Sequence, residues 1–129
     1  MMTELSLLLW SVVLGLVHIA LAATGSVSQR GLTWAVGARD GAPKPLTGIA
    51  ARLYRASNNF LETFPLFAAA VLLAVVLQRH GGMTLLGAQL YFWARLAYLP
   101  VYVAGTPYLR TLVWAVSIVG IVLVLATLV

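Results

Sequence analysis

Long apolar runs alternate with short polar intervals along this chain, and the runs set the elements. Four stretches, roughly residues 5–27, 48–78, 83–104 and 108–129, are mostly apolar. About 18 or more such residues in a row mark a membrane-spanning helix. Lipid offers backbone groups no partner, so each run is predicted to be a helix. The connection from Ser26 to Gly48 is polar, with Gly31, Gly37, Gly41, Pro43 and Pro45 as breakers. Arg79-His80-Gly81-Gly82 ends the second run with a basic turn and a glycine stop, and Gly105-Thr106-Pro107 makes a short turn. The expectation is an all-α chain with one domain over residues 1–129, a four-helix bundle embedded in a membrane.

Composition strengthens that reading. Hydrophobic residues make up 62% of the 129 and charged residues 9%. A soluble domain of this size cannot bury so large an apolar share. The net charge of +5 is placed in a way that argues against nucleic acid as a partner. Arg30, Arg39, Lys44, Arg52 and Arg55 lie in or beside the first connection, Arg110 beside the third, and Arg79 alone on the opposite side. The positive-inside rule then puts the first and third connections in the cytoplasm and both termini outside, in the periplasm of a bacterial inner membrane. Ala20-Leu21-Ala22 faintly resembles a signal-peptidase site, but Glu4 and the lack of a basic start argue against cleavage. There is no cysteine, so any sulfur chemistry must use sulfur brought by a substrate.

Two polar stripes interrupt the apolar runs. Arg55, Asn59 and Glu62 follow i, i+4, i+7 spacing on the second helix, flanked by Arg52 and Asn58. Tyr91, Arg95, Tyr98 and Tyr102 form a comparable stripe on the third. An ionised side chain at membrane depth is expensive unless paired. Glu62 reads as the one acid inside any span, so the stripes predict an Arg95–Glu62 contact between the second and third helices. Such a pair serves either as scaffold or as part of a site. One acid cannot balance Arg52, Arg55, Arg95 and Arg110, so a cationic, tyrosine-lined cleft is expected to take an anion from outside. His18 stands alone and reads as a packing residue, His80 as a loop residue, and no spacing suggests a metal site. The four tryptophans read as interface anchors or packing.

These stretches resemble the signatures of the MAPEG superfamily, the membrane-associated proteins of eicosanoid and glutathione metabolism. Residues 55–67, RASNNFLETFPLF, are similar to one motif. Residues 91–98, YFWARLAY, followed by Tyr102 and Arg110, are similar to the other. The resemblance covers essentially the whole chain and leans toward leukotriene-C synthase and microsomal glutathione transferase, in a bacterial-type version. It implies a homotrimer that holds glutathione as co-substrate between subunits on the cytoplasmic half. Carried over, Arg55, Asn59 and Glu62 would hold the peptide's polar ends, and Tyr98 and Tyr102 would contact it. Arg95 would support the site, Arg30 would add a contact, and Arg110 would favour the thiolate. The implied activity is a transferase or peroxidase reaction on a lipophilic small molecule that arrives from the membrane lipids. The alternative is a non-catalytic relative that binds lipid or another acidic ligand, or packs in a larger membrane complex. Thr63 stands where some members carry tyrosine, and Gln29-Arg30 where some carry a basic pair.

Overall fold

The computed structural model describes residues 3–129. Five helices follow one another, α1 (Glu4–Arg30), α2 (Leu32–Val36), α3 (Gly48–Val76), α4 (Gly82–Ala104) and α5 (Pro107–Ala126), and there is no strand among the described residues. The ends of the long helices follow local chemistry. Thr3 caps α1, its hydroxyl accepting from the Ser6 amide at 3.1 Å. Gly105 closes α4 in the left-handed region at φ 77°, where a side chain would be strained. Pro107 then opens α5 at a position that has no use for an amide hydrogen.

Three of the four expected spans, α1, α3 and α5, are long and apolar enough to cross a membrane. With 23 residues, α4 is long enough, but Gln89, Arg95 and the tyrosines dilute its apolar character. The first connection also holds more order than its breakers suggested. LTWAV forms the single-turn helix α2 between two glycines. Gln29 then clasps the far end of the connection: its Nε2 donates to the Thr47 carbonyl and its Oε1 accepts from the Thr47 amide, both at 2.9 Å.

In lipid, apolar contact alone does not pull helices together, so close backbone approach matters. The α4–α5 seam has this character. A Cβ on Gly87 would stand 2.5 Å from the Gly120 carbonyl oxygen, and one on Gly120 equally close to that of Gly87. Between α1 and α3, a Cβ on Gly15 would meet the Phe60 ring at 3.0 Å. The core gathers Leu7 and Leu14 of α1, Phe60, Phe67 and Val71 of α3, Ala88 and Tyr91 of α4, and Ile121 of α5. Leu9, Leu16, Leu66, Leu112 and Val122 are exposed, an outward apolar surface suited to lipid.

One expectation about acids needs correction. Glu62 is not the sole acid within a long helix, because α1 begins at Glu4. Glu4 is buried, and its Oε1 accepts from the buried Thr84 hydroxyl of α4 at 2.8 Å. Its position at the first residue of the run hid it among the terminal residues, whereas the fold turns it inward.

Candidate functional site

The α4 stripe is buried as its spacing predicts. Tyr91 and Arg95 are fully enclosed, and Tyr98 and Tyr102 nearly so. The members differ in use. Tyr91 shares a hydrogen bond with Thr63 at 3.0 Å and stacks on Phe67 at 4.0 Å, so it belongs to the core. Tyr98 and Tyr102 pack together with Ala56 of α3, their rings 5.4 Å apart.

The expected Arg95–Glu62 contact does not form. Arg95 Nη1 instead donates to Asn59 Oδ1 at 2.8 Å. The reason is helical phase. Asn59 borders the buried face of α3 made by Ala56, Phe60, Thr63 and Phe67, whereas Glu62 lies on an exposed flank about a turn further on. Among the described residues Glu62 makes no hydrogen bond or ion pair, although its charge acts on Tyr98. The Arg95 charge rests against aromatic faces, 4.1 Å from the Tyr98 ring centre and 5.5 Å from that of Phe60. Its Nε and Nη2 find no partner among the described residues.

Beside this buried cation opens a cleft of about 290 Å³, lined by Asn59, Tyr98, Tyr102, Arg110, Thr111 and Trp114. Three helices contribute, α3, α4 and α5. Arg110 lies with its guanidinium carbon 4.9 Å from the Tyr102 ring centre. Arg55 also reaches Tyr102, its Nε donating to the phenol oxygen at 3.1 Å. Arg52 is used structurally, capping the Val103 carbonyl of α4 at 3.0 Å. Cations thus border or back the cleft, and no acid lines it.

Of the eight residues singled out from the sequence, Asn59, Tyr98, Tyr102 and Arg110 meet in the cleft, Arg55 borders it, and Arg95 backs it. Arg30 and Glu62 are not in its lining, although the Glu62 charge acts on Tyr98. Arg30 Nε donates to the Lys44 carbonyl at 2.7 Å, and its side chain lines a different cavity with Trp34, Arg39 and Tyr54. Sequence reasoning missed Thr111 and Trp114. The signal for Trp114 was present, since it follows Arg110 by four residues and shares its helical face. His18 packs as expected, stacked on Phe60 at 4.9 Å. Among the described residues no cluster has the makings of a metal site.

Compared with known proteins, the chain matches the model of the MAPEG family over residues 7–129. No curated protein and no solved structure matches it.

Proposed function

The chain belongs to the MAPEG family, and from that premise we propose that it is a glutathione-dependent membrane transferase whose cleft activates the peptide's thiol. One observation supports this most: a tyrosine-walled cleft that presents Arg110, is bordered by Arg55 and backed by Arg95, and has no acid in its lining. Glutathione would bring the carboxylates that such a cleft lacks, and the sulfur that a chain without cysteine cannot provide. Arg110 would favour the thiolate, because a neighbouring guanidinium stabilises charge on sulfur. The thiol proton leaves to water, the thiolate forms a carbon–sulfur bond to the electrophile, and the leaving group departs with its electron pair. The lipophilic electrophile would enter from the bilayer, with α4 as a fourth membrane-crossing helix.

Glu62 and Arg30, which the protomer keeps out of the cleft, fit a site completed between copies. Glu62 is a carboxylate with no cationic partner among the described residues, on an exposed flank of α3, a costly arrangement at membrane depth unless a neighbour answers it. The reading therefore includes a homotrimer, with the site on the cytoplasmic half and both termini in the periplasm.

The test is turnover. Purified protein in a neutral detergent, given glutathione and an aromatic halide electrophile, is expected to form the thioether conjugate. Arg110→Gln should lose most of that rate near neutral pH and recover it as pH rises and the thiol ionises unaided. Intact trimers that bind glutathione without turning over any electrophile would replace this reading with a non-catalytic one.

A further inference from the structure

Two hydrogen-bond chains end at the cleft, and each starts at a group that can only donate. A guanidinium has five N–H donors and no acceptor. Arg95 Nη1 meets the side-chain amide of Asn59 at 2.8 Å, so the oxygen of that amide must face Arg95. This fixes an orientation that amide chemistry alone leaves open. Asn59 also lines the cleft, and among the described residues its one hydrogen bond is that of its oxygen to Arg95, with none from Nδ2. The amide hydrogens are thus the end left for the cleft. At Tyr102, Arg55 Nε donates to the phenol oxygen at 3.1 Å, which frees the phenol hydrogen to point onward. The rest of the lining leans the same way. Arg110 is donor-only and so is the Trp114 indole, and the Tyr98 hydroxyl makes no hydrogen bond among the described residues. Thr111 is the exception, because its hydroxyl hydrogen is spent on the Pro107 carbonyl at 3.1 Å.

We infer that Arg95 is a positioning residue, which locks the Asn59 amide so that the cleft wall donates and selects an acceptor-only anion such as a carboxylate. The inference deepens the glutathione reading and rests on it for the anion's identity. It places a carboxylate at Asn59 and keeps the peptide's ammonium group away from that wall. A scaffold role for Arg95 would require only that Asn59 accept its hydrogen bond, and the outward end of the amide would be of no consequence.

Asn59→Asp tests whether the outer end of that side chain faces the cleft, and the Arg95 variants test what holds it there. Asp keeps the acceptor for Arg95 and adds charge to hold it, so the fold should persist. The outward hydrogens become a carboxylate oxygen. Trp114 lines the same cleft and reports on it without glutathione. The experiment measures fluorescence quenching by iodide and by neutral acrylamide in a neutral detergent, with each signal taken against Trp114→Phe. With Asn59→Asp, iodide quenching of Trp114 should fall about threefold, the effect of a unit charge at ~6 Å in a water-filled cleft, while acrylamide quenching stays the same. Arg95→Lys, still donor-only, should keep the iodide response, and Arg95→Gln, which can accept or donate, should lose it. Equal iodide quenching in the wild type and a folded Asn59→Asp would overturn the inference, as would loss of the iodide response in a folded Arg95→Lys. A wild type that fails to bind glutathione would count against the proposed function alone, because iodide probes the wall directly.

Discussion

The polar stripes of α3 and α4 look alike in the sequence and are used differently in the fold. Arg95, Tyr98 and Tyr102 of α4 turn inward and are almost wholly buried, whereas Arg55 and Glu62 of α3 are exposed and only Asn59 reaches the interior side. A polar stripe on a membrane helix therefore has two meanings. It lines an internal site when the neighbouring helices of the same chain cover it. Otherwise it is an outer surface that carries charge. The α4 stripe is covered by helices of its own chain, and the α3 stripe is largely left open.

The comparison breaks most severely at the α4–α5 seam, since the inward stripe depends on it. Gly120→Val forces a side chain against the Gly87 carbonyl and should lower thermal stability by about 3 kcal/mol. Gly81→Ala is the control. A Cβ there meets nothing, and the shift should stay within about 0.5 kcal/mol in the same detergent melt. Next comes Tyr91→Phe, which strips a buried hydrogen bond from Thr63 and should cost about 1 kcal/mol. Its effect on glutathione affinity should be small, because Tyr91 belongs to the core.

Arg95→Met sharpens the contrast, because stability and function should part company. The variant loses one hydrogen bond and two aromatic contacts but also removes a buried charge with two unpartnered donors. Replacing buried charge with well-packed apolar groups is often neutral or stabilising. The melt should therefore move by no more than about 1 kcal/mol, while glutathione binding falls steeply. The smallest effect on the protomer belongs to Glu62→Gln. Helix content by circular dichroism should be unchanged, and for the proposed trimer Gln should be milder than Leu in its yield on size exclusion, because it keeps hydrogen bonds.

The helices were legible because apolar runs of membrane length leave the backbone few choices. The buried face of α4 was legible for a related reason, since Tyr91, Arg95, Tyr98 and Tyr102 keep one phase over three turns. The partner of Arg95 was not. Charge arithmetic pointed to Glu62, but the choice between residues 59 and 62 turns on how α3 rotates against α4. That rotation is set by packing of Ala56, Phe60, Thr63 and Phe67, which any apolar stripe within a few tens of degrees would have satisfied. The short helix α2 was hidden because five residues between glycines give no period to read.

The central claim is that Arg110 stabilises charge on a bound thiol. The most direct measurement is ultraviolet difference absorbance of the thiolate as glutathione is titrated into purified protein at neutral pH. The wild type should develop a saturable thiolate band, and Arg110→Gln should bind the peptide with similar affinity yet show the band only at raised pH. A wild type that binds glutathione with no thiolate band, or an Arg110→Gln band equal to the wild type's, would contradict the account.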